Sequence, residues 1–441
     1  MKIVEMRVTP VAMADPPLLS SYGLHAPYAL RTVVELVSED GLTGTAETHG
    51  GASTFAQLER ARPAVIGADA YYLARLAVEV DRLFTVPTLD GGRRPLAVEA
   101  SQTFILPGES GADIAARVYG ALEVAALDLI GKATGVPVCE LLGGRVRDEI
   151  PFSAYLFYKR AGGGGLGEDA REDNWGACLN ADAVVRQARE MVAAHGFGSI
   201  KLKGGVLPPD EEIAAILALR AAFGDGVPLR IDPNGAWTVE TSIRVGVALA
   251  GTLEYLEDPT PGIDGMAAVR HGLLAAGVET PLASNNALTS FADVPAAIAA
   301  GGAQVILSDH HYWGGLRAIT QLGRLCETFG IGLSMHSNSH LGLSLLAMVH
   351  LAAATGHLTF ASDTHYPWQT TEDEILASGR VPFEGGSVRV PTAPGLGVEL
   401  DRDALARGRE RYERSGYRSR DDEAEMRRHV DPSWRRLAPR W

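Results

Sequence analysis

The chain has 441 residues, a formal net charge of -14 and a 46% share of hydrophobic residues. These values are ordinary for a water-soluble globular protein with room for two domains. The acidic balance argues against a nucleic-acid partner, because phosphate binding requires a basic surface. No stretch approaches the roughly 20 apolar residues that cross a bilayer. Three widely spaced cysteines without a CxxC pair fit a reducing compartment. We therefore expect a cytoplasmic protein that binds neither nucleic acid nor membrane.

The first part of the chain, residues 1–135, predicts an α+β domain. Its first strand alternates apolar and charged residues, where a signal peptide would carry an unbroken apolar run. The candidate strands are Ile3 to Val8, Thr32 to Val37 and Gly44 to Glu47, and the candidate helices are Phe55 to Ile66, Tyr71 to Leu83 and Ile114 to Thr134. A loop rich in Pro, Ser and Gly, residues 15–28, separates the first two strands.

Residues 136–392 alternate short apolar runs with helical patterns. A polar cluster ends each apolar run, and neighbouring clusters are 24 to 31 residues apart, the length of one strand, one helix and two loops. The clusters are Lys201 with Lys203, Asp232 with Asn234, Glu257, Asn285, Asp309, His336 and Asp363. Because parallel strands that alternate with helices close into a barrel with its active site at the carboxyl ends of the strands, this spacing predicts a β/α barrel.

Two further segments are distinctive. Gly162 to Gly165 follow the candidate first barrel strand, Pro151 to Tyr158, and four consecutive glycines do not hold regular structure at low cost. They predict either a mobile lid or a disordered surface insertion. The tail, residues 393–441, contains alternating charges from Asp401 to Arg428, a pattern typical of a solvated helix face.

Paired lysines end one predicted barrel strand. Lys201 and Lys203 point to the same face, because side chains alternate along a strand with period two. Two ammonium groups this close, when buried, are expected to lower the pKa of one of them toward that of a useful base. The alternative is a pair of solvated lysines without a catalytic role.

Three successive predicted strands end in oxygen-bearing side chains, at Asp232, Glu257 and Asn285. Hard oxygen ligands suit Mg²⁺, which keeps some water and recruits substrate oxygens. Each residue alone could cap the helix that follows it. Their recurrence at matching strand ends instead predicts a magnesium site.

The next two strand ends carry Asp309 and His336. A carboxylate can hold one imidazole nitrogen and direct the other toward substrate, so this pair predicts a base that faces the lysines across the barrel mouth. Two opposed bases around Mg²⁺ point to proton abstraction next to a carboxylate. Inversion, elimination and cyclisation all remain open at this point.

With these residues in place, the chain resembles the enolase superfamily and, within it, the glucarate dehydratase subgroup. The matching strings are KLKGGVLP from Lys201, DPNGAW from Asp232, EDP from Glu257, HSN from His336, DTH from Asp363 and PGLGVEL from Pro394. The likeness covers nearly the whole barrel and, more loosely, the first domain.

The resemblance implies an α/β fold, a (β/α)7β TIM-like barrel whose capping domain combines residues 1–135 with the C-terminal tail. It implies Mg²⁺ bound by Asp232, Glu257 and Asn285. It also implies Lys203 as one base, His336 paired with Asp309 as the other, and Lys201 as the group that stabilises the substrate carboxylate. The expected enzyme is a hydro-lyase, a carbon–oxygen lyase that converts an acid sugar, most simply D-glucarate, into a keto-deoxy sugar acid.

The same resemblance implies substrate contacts. Members of the subgroup are commonly homo-oligomers, so the resemblance also implies a homo-oligomer. The positions that match are His25, Thr103, Tyr155, Asn234, Asn338, His365 and Arg420. A cation or imidazole among them would hold the distal carboxylate of a dicarboxylate. The chain departs from the subgroup at Ser20, where an Asn is usual five residues before the cap-loop histidine, and this departure leaves the identity of the acid sugar open.

Three alternatives accompany this prediction. Opposed bases also suit a racemase or epimerase of an acid sugar. A zinc hydrolase could draw on His310, His311, His336 and His340, although their spacing fits no common zinc motif. The chain could also be an inactive relative that only binds or assembles, since fold does not dictate function.

Overall fold

The computed structural model describes residues 1–25, 27–87, 93–95 and 111–441. Thr103, one of the expected substrate contacts, lies outside the described residues. Among the described helices, none combines the length and the apolar character that a transmembrane span requires.

The first domain is built around a three-stranded antiparallel sheet. Its elements are β1 (Ile3–Ala14), β2 (Leu19–Ser20), β3 (Gly23–Leu24), β4 (Tyr28–Ser38), β5 (Thr43–His49), α1 (Ala52–Val65), α2 (Leu73–Phe84), β6 (Thr85–Pro87), β7 (Arg93–Pro95) and α3 (Gly111–Thr134). Strand β4 lies between β1 and β5, and every residue of β4 is buried.

The two long strands extend further than the sequence predicts. The pairing of β1 with β4 runs from Ile3 opposite Ser38 to Ala14 opposite Tyr28. Strand β1 continues past Pro10 because β1 is an edge strand, where a missing backbone N–H is tolerated. The segment predicted as a loop also contains the β2–β3 hairpin.

The second part of the chain is a barrel of parallel strands. Its elements are α4 (Val138–Leu141), β8 (Glu149–Pro151), β9 (Ala154–Phe157), α5 (Ala181–His195), β10 (Ile200–Lys203), α6 (Pro209–Phe223), β11 (Leu229–Asp232), α7 (Val239–Ala248), β12 (Tyr255–Glu257), α8 (Gly262–Ala275), β13 (Leu282–Ser284), α9 (Val294–Ala300), β14 (Val305–Ser308), α10 (Leu316–Phe329), β15 (Gly332–Met335), α11 (Gly342–Ala354) and β16 (Ser387–Arg389). Strands β9 to β15 form one sheet in sequence order, as predicted, and β16 pairs with β8.

A short segment at residues 361–363 closes the barrel between β15 and β9. The Ser153 N–H donates to the Ser362 carbonyl (2.9 Å), and the Asp363 N–H donates to the Met335 carbonyl (2.9 Å). Seven helices, α5 to α11, therefore separate eight strand positions around the ring. This arrangement confirms the α/β barrel fold predicted from the sequence.

Local sequence signals explain the repeating units. Helix α5 begins after Asn180, whose side chain accepts the Ala183 N–H, and ends at Gly196 in the left-handed conformation. The short strands are buried because helices and the barrel interior cover both of their faces, and their apolar residues match that environment.

The tail forms two helices, α12 (Arg402–Ser415) and α13 (Asp422–His429), which contact β1 and β3 of the first domain. One face of helix α12 is exposed, as its charges predict, and the opposite face is buried. Arg411 is buried and pairs with Asp169 (3.1 Å) and Asp373 (2.5 Å), while Arg411 Nη1 also donates to the Ala12 carbonyl (2.9 Å). Charge pairs with partners from distant segments thus bury one side of the helix.

The four glycines lie in a packed loop against the first domain. The Gly162 N–H donates to Asp173 Oδ2 (2.7 Å), and the Gly165 N–H donates to the Pro27 carbonyl (2.8 Å). Gly164 has φ +85°, and a Cβ there would lie 2.3 Å from the Asp15 carbonyl oxygen. Glycine is therefore required at this position, because the backbone of Asp15 approaches too closely for a side chain. The loop is packed and hydrogen-bonded, unlike the disordered surface insertion that was one of the two predictions.

Candidate active site

The rim of the barrel, formed by the carboxyl ends of its strands, carries the polar residues that the spacing predicts there. Each is either the last residue of its strand or the residue that follows it: Lys203 (β10), Asp232 (β11), Glu257 (β12), Asn285 (β13), Asp309 (β14) and His336 (β15). The three oxygen-bearing residues occupy neighbouring strands. The lysine strand lies on one side of this arc, and the Asp309 and His336 strands lie on the other.

Both lysines contact buried carboxylates. Lys201 Nζ lies 2.5 Å from Glu257 Oε2 and 2.5 Å from Asp363 Oδ2. Lys203 Nζ lies 2.6 Å from Asp232 Oδ2 and donates to the Tyr155 hydroxyl at 3.1 Å. All of these residues are buried.

The carboxylate neighbours of Lys201 favour its protonated form. Burial works to lower the pKa of Lys201, but the charges of Asp363 and Glu257 outweigh it and raise that pKa well above its usual value. The lowered pKa that the sequence predicts for one of the two lysines is therefore not found at Lys201, because the nearby carboxylates favour its charged form. Lys201 is a fixed positive charge beneath the rim.

The two carboxylates of the predicted magnesium site carry opposite pKa shifts. Burial opposes ionisation of Asp232, yet Lys203 and Lys201 lower the pKa of this group. The pKa of Glu257 is raised well above its ordinary value, by burial first and then by the charge of Asp232. Two buried carboxylates on adjacent strand ends repel each other, and a divalent cation between them would relieve that repulsion.

The Asn285 amide completes a set of oxygen donors. One end of the amide lies 2.7 Å from Asp258 Oδ2 and 3.3 Å from Glu257 Oε1, and the other end lies 3.1 Å from His336 Nε2. In the absence of a cation, hydrogen bonding favours the orientation in which the amide nitrogen faces the carboxylates of Asp258 and Glu257. A cation shared with Glu257 would instead favour the oxygen there, so Asp232, Glu257 and Asn285 fit Mg²⁺ by donor chemistry.

Two strained residues support these ligands. Among the described residues, the non-glycine positions with positive φ are Asn234 (49°) and Asp258 (35°). Asn234 donates to Asp232 Oδ1 through its backbone N–H (3.0 Å) and its side-chain amide (2.8 Å). Asp258 accepts from the Ser284 hydroxyl (2.6 Å) and the Asn285 N–H (2.8 Å). Uncommon backbone conformations persist where the surroundings enforce them, and here they fix the predicted ligands.

Asp309 and His336 form the predicted carboxylate–imidazole pair. Asp309 Oδ2 lies 3.0 Å from His336 Nδ1, and Asp309 Oδ1 lies 2.7 Å from His311 Nδ1. Burial opposes ionisation of Asp309, but His311 and His336 hold its pKa well below the usual range. The other ring nitrogen of His336 faces Asn285, so the imidazole points toward the oxygen donors.

A second carboxylate–imidazole pair comes from the first domain. Asp15 Oδ2 lies 3.1 Å from His25 Nδ1, and both residues are buried. The His25 ring is parallel to that of His365, with centroids 6.5 Å apart, and His365 contacts the Tyr155 ring edge at 4.9 Å. Burial, followed by the charges of His25 and Lys203, holds the pKa of His365 well below its usual value. The structure thus brings His25, Tyr155 and His365 together next to the lysines.

The side chains at the remaining predicted substrate contacts form hydrogen bonds with other residues of the protein. Asn234 binds Asp232, as described above. Asn338 Nδ2 donates to the Tyr312 hydroxyl at 2.8 Å. Arg420, which reaches this region from the tail, makes a two-pronged contact with Asp422 (2.7 Å at each oxygen), and Asp15 and Tyr312 also help to raise its pKa.

Several buried polar residues of the site did not appear among the predicted functional positions. They are Asp15, Arg31, Glu47 and Asp258. Arg31 and Glu47 carried a usable signal, because each interrupts a strand that is otherwise rich in apolar and small residues. Asp15 and Asp258 follow no period, since one precedes a hairpin and the other sits in a strained turn.

The zinc alternative finds little support. His340 bonds to the Leu341 carbonyl and the Thr364 hydroxyl, at 3.0 and 3.1 Å. In the part of the chain that the structure describes, His49, Asp309 and His311 form a group of ligand-type atoms within 4.8 Å of one another. Arg31 contacts both of these histidines, at 3.1 and 3.3 Å, and its positive charge opposes a cation there.

Comparison with known proteins assigns the chain to one family. Residues 183–404 match the family model described as Enolase C-terminal domain-like. Residues 3–143 match the model of the Mandelate racemase / muconate lactonizing enzyme, N-terminal domain. The chain belongs to the enolase superfamily. Members of the enolase superfamily bind Mg²⁺, in agreement with the oxygen donors at the rim.

Relatives in the enolase superfamily span the whole chain. A probable glucarate dehydratase of Streptomyces coelicolor is 47% identical over 100% of this chain and 99% of its own length. An enolase-family structure from Thermobispora bispora, complexed with magnesium and formate, is 51% identical over the full length of both chains, with a TM-score of 0.89. One from Pseudomonas fluorescens, with bound magnesium, potassium and tartrate, is 44% identical over 100% of this chain and 99% of its own, with a TM-score of 0.91. The chain is therefore an enzyme of this superfamily, similar to dehydratases.

Proposed function

We propose that this enzyme is a Mg²⁺-dependent acid-sugar dehydratase that acts on D-glucarate or a related aldarate. The observation that carries the proposal is the order of groups around the rim. Three oxygen donors on adjacent strands are flanked by Lys203 on one side and by the Asp309–His336 pair on the other. This order provides a base on each side of a carboxylate-binding centre.

Asp232, Glu257 and Asn285 would hold Mg²⁺. When bound, the ion neutralises the negative charge that the substrate carboxylate gains as its α-proton leaves. Lys201 adds a fixed positive charge to the same region, and its pKa, raised by Asp363 and Glu257, keeps it protonated. Both features favour a substrate that becomes more negative during the reaction.

The remaining steps use the side chains of this protein. Lys203 or His336 removes the α-proton, according to the face of the α-carbon that carries it. The electron pair of the C–H bond forms a carbon–carbon double bond as the β-carbon loses its hydroxyl group. His336 donates a proton to the departing hydroxide, which leaves as water, and the resulting enol converts to the keto acid.

Groups from three parts of the chain support a dicarboxylate substrate. The imidazoles of His25 and His365 and the guanidinium of Arg420 could hold a second carboxylate by charge-assisted hydrogen bonds. The 47% identical relative is a probable glucarate dehydratase, and tartrate, itself a hydroxy dicarboxylate, is bound in the structure from Pseudomonas fluorescens. Ser20 remains the feature that leaves the choice among aldarates open.

An activity screen tests this proposal. Aldarates and aldonates are incubated with the protein and Mg²⁺, and formation of a 2-keto acid is followed together with exchange of the α-proton in D₂O. We expect a keto-deoxy acid from at least one aldarate. Exchange without any keto product would contradict dehydration and favour the racemase or epimerase, which needs the same two bases.

The metal assignment has its own test. In Glu257→Gln, we expect turnover to require more Mg²⁺, and we expect Mg²⁺ to raise the melting temperature less than in the wild type, because ligand binding stabilises the folded state by mass action. Glu254→Gln is a matched control, since Glu254 lies three residues earlier and pairs with Arg230 at 2.6 Å. An unchanged Mg²⁺ response in Glu257→Gln would remove this residue from the ligand set.

A further inference from the structure

The Asp309 carboxylate is shared by two imidazoles. Its Oδ2 faces His336 Nδ1 at 3.0 Å, while its Oδ1 accepts the His311 backbone N–H at 2.9 Å and faces His311 Nδ1 at 2.7 Å. All three residues are buried. The contact with His311 is the shorter of the two imidazole contacts, so His311 restrains the carboxylate at least as strongly as the proposed base does.

The neighbours of His311 define which of its nitrogens carries the proton. Arg31 Nη2 lies 3.3 Å from His311 Nε2, and a guanidinium can only donate. His311 Nε2 is therefore the acceptor, and Nδ1 carries the hydrogen that is donated to Asp309. Ser344, whose hydroxyl lies 3.1 Å from Nε2, completes the environment of this nitrogen.

Arg31 is itself held by the first domain. Its Nε donates to Glu47 Oε1 at 2.6 Å, across from β4 to the neighbouring strand β5. Glu47 also accepts the Leu341 N–H (2.9 Å) and the Ser344 N–H (3.0 Å) at the start of α11. A continuous hydrogen-bonded path thus runs from the sheet of the first domain to the rim: Glu47, Arg31, His311, Asp309 and His336.

We propose that His311, fixed by Arg31, is a positioning residue that orients Asp309 and thereby the imidazole of His336. The first domain then contributes to the geometry of one of the two bases, in addition to any contact with substrate. The inference rests on the proposed function, in which His336 takes part in the proton transfers. Groups that orient a reacting side chain commonly change rate by about tenfold to hundredfold when they are removed.

Two substitutions separate hydrogen bonding from space filling. His311→Asn keeps an N–H donor near the position of Nδ1, whereas His311→Leu fills similar space without a donor. The readout is exchange of the α-proton in D₂O, measured with two acid sugars that are epimers at the α-carbon, so that one presents its proton to His336 and the other to Lys203.

We expect His311→Leu to slow exchange on the His336 side by about tenfold to hundredfold, with exchange on the Lys203 side unchanged. His311→Asn should recover most of the lost rate, because the donor to Asp309 is retained. Equal slowing of both epimers, or no slowing of either, would overturn the positioning role.

A matched control addresses the loss of a buried histidine as such. His350, in α11, is buried and lies 3.3 Å from the Cys139 backbone nitrogen and 3.2 Å from the Leu396 carbonyl, remote from this hydrogen-bonded path. His350→Asn should lower the melting temperature without changing the ratio of the two exchange rates. A changed ratio in His350→Asn would overturn the inference, because the ratio would then report general loosening.

The wild-type experiment distinguishes the inference from the proposed function. A wild-type protein that exchanges no α-proton in any acid sugar would contradict the proposed function itself. A wild-type protein that exchanges protons on both faces, together with a His311→Leu variant that keeps the same ratio, would contradict only the positioning role.

Discussion

The barrel rim and the first domain contribute to the site in different ways. On the rim, each group stands at the end of a strand, and one strand–helix unit separates it from the next. In the first domain, Asp15, His25 and Arg31 come from a strand end, a hairpin and a central antiparallel strand, with no common spacing. The rim repeats one geometry, whereas the first domain uses three unrelated ones.

This difference has a physical origin. Parallel strands of a barrel present their carboxyl ends to a single opening, so any polar residue at that position points to the same space. In an antiparallel sheet, the carboxyl ends of neighbouring strands lie at opposite edges of the sheet. A side chain of the first domain therefore reaches the barrel opening only where that domain packs against the barrel rim. Under the proposed function, the chemistry therefore lies in the periodic part, while positioning and substrate selection depend on the irregular part.

The largest effect is expected from breaking the rim. Lys203→Ala should slow exchange of the α-proton that faces Lys203 by about 10²- to 10⁴-fold, because general bases contribute on that scale. His336→Asn should do the same for the opposite epimer. Exchange in D₂O measures both, and circular dichroism checks that the fold is kept. Normal rates on both epimers for either variant would contradict the two-base assignment.

The next effect tests how the tail is held to the barrel part of the chain. Arg411 is buried and pairs with Asp169 and Asp373. We expect Arg411→Met to lower the free energy of unfolding by about 3 kcal/mol, because removing one partner leaves buried charges less compensated. The two carboxylates keep Arg414 and Arg171 as partners, which limits the loss. Chemical denaturation measures the change.

Helix α12 supplies the matched control for that experiment. Arg409 is exposed and pairs with exposed Glu413 at 3.0 Å. Arg409→Met should change the unfolding free energy by less than about 0.5 kcal/mol, the usual value of an exposed pair of this spacing. A similar loss in both variants would show that the buried network does not tie the tail to the barrel part of the chain.

Much of the fold and the rim could be predicted from the sequence. Residues 136–392 alternate strands with helices as predicted, and Asp232 and Glu257 end their strands as the spacing requires. Apolar periodicity and strand-to-strand distance are local properties of the chain, so they can be read before any tertiary contact is known.

The parts that could not be predicted depend on contacts between distant segments. The charges of α12 indicate a solvated helix face but not the buried face opposite, because the partners of Arg411 lie more than 30 residues away along the chain. The pKa of Lys201 is raised because Asp363 and Glu257 come from other strands. Asp15 becomes a site residue only because the hairpin brings His25 back to it.

The smallest of these effects tests whether the first domain takes part in substrate selection. Asp15 holds His25 Nδ1 at 3.1 Å and carries a negative charge that keeps the imidazole oriented. Asp15→Asn retains an acceptor at that position and removes the charge. We expect the KM of an aldarate to rise about tenfold with little change in kcat, because charge-assisted hydrogen bonds contribute about 1.5 to 3 kcal/mol.

The matched comparison uses substrate instead of a second variant. An aldonate carries the reacting carboxylate and lacks the distal one, so its KM should not change in Asp15→Asn if His25 serves the distal end. A similar rise in KM for both substrates would instead indicate that Asp15 supports the whole opening, through its contacts with the glycine loop and Ser339. A fall in kcat with an unchanged KM would place His25 near the reacting carbon, and the division of roles between rim and first domain would then be incorrect.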